Sequence, residues 1–196
     1  MDAGLSGREP AWVRAAAGVV GFCDAVCRWS GYIVSWAALG TVLLCFGTVY
    51  LRYVMGDGMI WMQEAYVWTH VAVILLGAGY TMMTGGFVRV DVFYARWDDR
   101  RRSRMDLIMT LLLFVPFMFI FTAGVWTFWT ASYTSDEASL NPGGLQDYWI
   151  LKAMLLGFIL LVGLQALAFV LRGALVLAGY PQFTLRHAGP GADAAH

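Results

Sequence analysis

Charge is the first scarcity. Lys, Arg, Asp and Glu together make up 13% of the 196 residues, about half of the roughly 25% usual in soluble globular domains. They cancel to a formal net charge of zero, against 60% hydrophobic residues. Such a composition excludes an intrinsically disordered chain, and it excludes nucleic-acid binding driven by bulk positive charge. Cysteine is scarce too. Three cysteines, an odd count, exclude a disulfide scaffold. Cys23, Cys27 and Cys45 form no CxxC and have no neighbouring histidine, so they read as buried small hydrophobes. Histidine is rarer still inside apolar sequence, where only His70 occurs. Without a second buried histidine the chain lacks the axial pair that a haem-anchoring bundle supplies. There is no hydrolytic triad, no pair of buried carboxylates, no phosphate loop and no HExxH. The sequence therefore predicts no enzyme activity, no metal site and no cofactor.

What remains is apolar sequence in long pieces. Trp29–Leu51, Ala65–Val88, Leu107–Ser135 and Ala153–Leu171 carry no Asp, Glu, Lys or Arg over 23, 24, 29 and 19 positions. About 20 apolar residues in a helix cross the hydrocarbon core. Backbone groups in lipid must be satisfied within the segment, and the alternation of a barrel strand is absent, so each stretch is predicted to be a helix. The expected fold is an all-α membrane protein with four transmembrane helices, over about 29–51, 62–86, 107–133 and 149–171. Residues 1–28 precede this domain, which extends to 178, and a tail, 179–196, follows it. No internal repeat is visible. Pro116 is expected to kink the third span, and Gly77 with Gly79 to allow close helix approach. The run Asn141-Pro142-Gly143-Gly144 fits a turn with positive φ at the glycine.

Charge sign sets the expected orientation. With the N-terminus inside, Arg8, Arg14, Arg28, Arg89, Arg96, Arg100, Arg101, Arg102, Arg104, Arg172 and Arg186 fall on the inner side, 11 of the 13 basic residues. Asp57, Glu64, Asp136, Glu137 and Asp147 fall outside. The positive-inside rule then places both termini in the cytoplasm. Arg96, Arg100, Arg101, Arg102 and Arg104 pin their loop inside, with contact to anionic lipid head groups as the functional alternative. Residues 11–28 are expected to form an amphipathic helix lying in the membrane surface, with Trp12, Ala16, Val19, Cys23 and Val26 on one stripe. The alternative is a cytoplasmic extension of the first span.

Ionisable and polar groups inside spans are the default functional candidates. Glu64 lies near the outer end of the second span. His70 is about 9 Å deeper by helical rise and is expected to be a satisfied core histidine, with an interhelical hydrogen bond as the second reading. Gln165, deep in the fourth span, reads as interhelical glue. Thr41, Thr48 and Thr69 are expected to bond to their own helices.

One block goes beyond generic membrane grammar. Arg52-Tyr53, Trp61-Met62-Gln63-Glu64, Gly77-Ala78-Gly79-Tyr80 and Gly85-Gly86-Phe87-Val88-Arg89-Val90-Asp91 follow each other in one gapless register. This order resembles the DctQ-type small permease subunit of tripartite ATP-independent periplasmic (TRAP) transporters. The similarity covers about Arg52 to Arg172 and departs at Phe87, where the pattern leads one to expect histidine. The resemblance implies a multi-pass protein of the bacterial inner membrane with three kinds of partner: a large TRAP permease subunit, a periplasmic substrate-binding protein, and membrane lipids. It further implies sodium-coupled uptake of organic acids, such as 2-oxo or hydroxy acids, with this subunit scaffolding the large one. Trp61 and Glu64 then organise the outer end of the second helix, Glu64 favouring its N-terminus. Gly85, Gly86, Arg89 and Asp91 mark its inner end. A respiratory membrane anchor and a self-sufficient small transporter or channel are the competing readings.

Overall fold

The computed structural model describes residues 10–86 and 99–183. Within them the chain is all-helical. α1 runs Ala11–Tyr50 and continues through a π-helical turn, Leu51–Met55. α2 spans Ile60–Met83. α3, Asp99–Met109, is charged and passes through a second π segment, Thr110–Phe114, into α4, Val115–Thr134. α5 spans Tyr148–Leu177, and a short 3-10 turn, Pro181–Phe183, follows. Four of these helical runs are long and apolar enough to cross a membrane.

The π segment before α4 answers the proline. Pro116 has no N–H for the carbonyl four residues back, and its ring crowds that turn. Widening the preceding turn, where the Val115 amide bonds to the Thr110 carbonyl, relieves both problems while the helix continues.

α5 is the hub. It packs on α1, α2, α3 and α4, while α1 also runs along α2. The close approaches rest on small residues. A Cβ on Gly79 of α2 would lie 3.0 Å from Leu161 Cβ and 3.1 Å from Cys27 Sγ, so a glycine here lets α1, α2 and α5 meet without either neighbour giving way. One on Gly77 would lie 3.3 Å from Val34 of α1. Ser30 Oγ crosses from α1 to donate to the Leu76 carbonyl of α2 at 2.7 Å. Thr41, Thr48 and Thr69 bond back to carbonyls of their own helices at 2.7–3.1 Å. The four runs alternate in direction, so both ends of the described chain lie at one end of the bundle, the terminal end. The turn after α1 and the loop between α4 and α5 lie at the other, the loop end.

Residues 11–28 depart from expectation. They form no separate surface helix but continue α1 without a break at residue 28. At 40 residues α1 is about 60 Å long, twice the hydrocarbon thickness. Its first half lies antiparallel along the terminal end of α5. Val20 and Cys23 form a buried cluster with Ala168, flanked by Leu164 and Leu171. The Trp12 and Tyr180 rings meet edge to face at 5.9 Å. The buried stripe is accordingly Val13, Val20, Cys23, Cys27, Gly31 and Val34. Trp12 and Val19, expected on the apolar stripe, are exposed, because packing on α5 selects a face rotated from the one inferred. Cys45, expected to be buried like Cys23 and Cys27, is exposed on α1.

Candidate functional site

Among the described residues, the charged side chains bound to side-chain or loop partners fall in two groups toward the ends of the bundle. At the loop end the centre is Glu64. It sits on the second turn of α2 and is buried, at 8% exposure. Its carboxylate does not cap its own helix; it binds the loop between α4 and α5. Oε1 accepts hydrogen bonds from Ser139 Oγ and from Asn141 Nδ2 at 3.0 Å. Oε2 accepts the Leu145 amide at 2.6 Å. A buried charge is tolerable where donors replace its lost water, and this loop supplies three.

The loop is built to deliver those donors. Asn141-Pro142-Gly143-Gly144 closes a turn, with the Gly144 amide on the Asn141 carbonyl at 3.0 Å and Gly143 at φ +80. Proline followed by a glycine at positive φ is the type II arrangement expected from sequence. The Ser139 amide bonds to the Leu145 carbonyl at 3.0 Å, and the Tyr148 amide to the Glu137 carbonyl at 2.8 Å. Gly144 has a further role: a Cβ there would lie 2.7 Å from Glu64 Oε2 and collide with Ser139. Glycine keeps the space that the carboxylate occupies.

Beside this clamp, Lys152 on α5 pairs with Glu137 and lies over the Phe128 ring, 4.0 Å from its centroid. The ammonium holds the Glu137 carboxyl below its ordinary value. An aromatic ladder covers the same end: Trp126 to Trp129 at 5.5 Å, Trp129 to Tyr133 at 5.4 Å, and Tyr133 to Trp149 at 5.6 Å. Such amphipathic rings suit a membrane–water boundary. Trp61 stands half-exposed at the start of α2.

At the terminal end, Asp24 of α1 pairs with Arg172 of α5, and Gln165 Nε2 donates to Asp24 Oδ1 at 3.3 Å. Gln165 is 2% exposed. The sequence singles out Gln165 and counts Arg172 among the inner-side arginines, but it gives no sign that Asp24 meets either of them. A span of 148 positions separates Asp24 from Arg172, and no local pattern links them.

Gly85 and Gly86 end α2. Gly85 has φ +72, its amide bonds to the Met82 carbonyl at 3.3 Å, and the Gly86 amide bonds to the Thr81 carbonyl at 2.9 Å. This is a Schellman stop, and its left-handed residue favours glycine. Arg89, Asp91 and Arg96, with Phe87, lie outside the described residues, as do the side chains of Arg100 and Arg102; Arg101 and Arg104 are exposed on α3. His70 is a correction. It is exposed rather than held in the core, because α1 and α5 pack on the other faces of α2. No group of three metal-ligating side chains occurs among the described residues.

A family model described as "Tripartite ATP-independent periplasmic transporters, DctQ component" matches residues 41–175. The chain belongs to the DctQ family. The match takes in the Glu64 clamp, its loop, the Gln165 site and Arg172, while Asp24, the partner of Arg172, precedes it. No curated protein and no solved structure matches the chain. In this DctQ-family membrane protein the partnered charged groups do structural work: Glu64 ties a loop to a helix, and Asp24, with Gln165 and Arg172, ties two helices together.

Proposed function

We propose that the chain is the non-catalytic small membrane subunit of a TRAP-type secondary transporter, bracing a large permease subunit in the bacterial inner membrane. The system takes up organic acids, such as 2-oxo or hydroxy acids, delivered by a periplasmic binding protein and driven by sodium. The observation that carries this reading is the use made of the buried polar groups. Ion and solute sites of secondary transporters lie near the midplane on broken helices. Here Glu64 is saturated by its loop and Asp24 by Arg172 and Gln165, both toward the ends of the bundle. The flanks of α1 and α4 are lined by exposed large apolar side chains such as Trp36, Phe46, Phe119 and Ile120. A subunit with this surface adds width and anchorage to the stationary part of a moving carrier. The arginines of the terminal end support an orientation with both termini in the cytoplasm.

The test is reconstitution. The tagged chain, co-expressed with the large permease subunit of such a system, co-purifies as a stoichiometric complex. In liposomes, uptake of a carboxylate needs both subunits, the binding protein and a sodium gradient. Flux from the chain alone, or stable monodispersity without any partner when the permease is present, overturns the reading. A reporter fused to the C-terminus reads out a cytoplasmic location.

A further inference from the structure

His70 is exposed near the middle of α2. It lies about 15 Å from Ile60 and about 20 Å from Met83 by helical rise. Among the described residues 29–51, 65–83, 107–133 and 153–171, it is the one acidic or basic side chain that is exposed. It makes no hydrogen bond or ion pair with another described residue. Gln63, Val67, His70 and Ile74 are all exposed; at spacings of four, three and four they form one stripe along the helix. The other faces of α2 are taken: Gly77 by Val34 of α1, Gly79 by Leu161 of α5, and Trp68 by the Tyr148 ring at 5.5 Å.

An imidazole has two hydrogen-bonding nitrogens, and the hydrocarbon around a span offers them no water. Its side chain is too short to reach either interface as a lysine or arginine does. Acyl chains offer it neither a donor nor an acceptor, so a ring left against lipid stays unsatisfied. Polar side chains at such positions face protein or a wet cavity rather than hydrocarbon.

We propose that the stripe centred on His70 is the face that seats against the large permease subunit, which meets the imidazole with a hydrogen-bonding side chain inside the span. This rests on the reading of the chain as the small subunit of such a complex. The family match, to one component of a tripartite transporter, favours that occupant over a second copy of this chain. The apolar flanks of α1 and α4 need no such partner, because lipid satisfies them.

The experiment places p-benzoylphenylalanine at position 70, or at Phe119 on the exposed flank of α4, in the tagged chain co-expressed with the permease. Irradiation joins position 70 to the permease and leaves position 119 joined to none. In parallel, His70→Leu weakens association of the two subunits about threefold to tenfold, the worth of one interhelical hydrogen bond, while His70→Gln stays close to the parent. An adduct of the chain with itself, adducts to lipid alone, equal yield from position 119, or unchanged association for His70→Leu each overturns the assignment of this face. If permease is recovered but position 70 gives no adduct, only the face is wrong. If no permease is recovered from any variant or the parent, the small-subunit reading falls and this inference falls with it.

Discussion

Asp24 and Arg172 meet across 148 positions of sequence, joining the first half of α1 to the terminal end of α5. The two side chains are only 17% and 12% exposed, and Gln165 completes the set. This contact explains why a helix with a carboxylate in the middle of an apolar run continues unbroken: the charge is neutralised by a neighbour rather than by water.

Removing one member of that pair strands the other. Asp24→Ala or Arg172→Ala is expected to destabilise the bundle by about 2–4 kcal/mol, because an unpaired charge in a half-dry site costs more than the pair contributed. The double change Asp24→Leu with Arg172→Leu recovers most of the loss. Thermal unfolding of the purified protein in detergent, compared across the three variants, reads this out. Additive losses in the double variant would show that the two side chains act independently.

The Glu64 clamp predicts a loop effect rather than a helix effect. Glu64→Gln turns one acceptor oxygen into a donor facing another donor, at a cost of about 1–3 kcal/mol. Hydrogen exchange of the Leu145 amide, bonded to Glu64 at 2.6 Å, accelerates, and protease cuts the 135–147 loop faster. Helix content by circular dichroism holds.

Gly144→Ala should reproduce that phenotype from the opposite side. The added methyl needs the space of Glu64 Oε2, 2.7 Å away. Since both changes break one clamp, the combined variant is no worse than the more damaging single one. Full additivity in a double-mutant cycle for loop exchange would refute the shared site.

Gly85→Ala acts at the terminal end instead. With φ +72, a side chain there costs about 1–2 kcal/mol. Fraying of the last turn of α2, read by exchange of the Gly86 amide, follows while the 135–147 loop stays protected.

Acid should loosen the loop through Glu137. Its carboxyl is held below the ordinary value chiefly by Lys152. A carboxyl whose folded value is depressed adds stability above its unfolded value, near pH 4.3, and loses it as pH falls through the lower folded value. Glu137→Gln removes that part of the acid response, measured as protease sensitivity of the loop between neutral pH and pH 3. An unchanged response in the variant rejects Glu137 as its source.

Much of the architecture was legible because lipid imposes one simple rule on sequence. Transferring a charge into hydrocarbon is expensive, so spans appear as charge-free stretches and their number can be read directly. The turn at Asn141–Gly144 was legible for a similar local reason, since proline and glycine restrict their own backbone. The start of α1 was not. Arg14, Asp24 and Arg28 interrupt the apolar run, and the compensation for Asp24 comes from a residue on the last helix. The face of α2 was not legible either. His70 and Glu64 are both ionisable and six positions apart on one helix; only the packing of α1, α5 and the loop shows that one is buried and saturated and the other turned outward.

By itself, then, the sequence determined how many helices cross and which residues are too polar to face lipid without a partner, because hydropathy and backbone preference are properties of single residues and their near neighbours. The tertiary structure decided which polar groups find partners within the chain, since that depends on distances between residues up to 148 positions apart. It satisfied Glu64 and Asp24 inside the molecule, and it left His70 exposed.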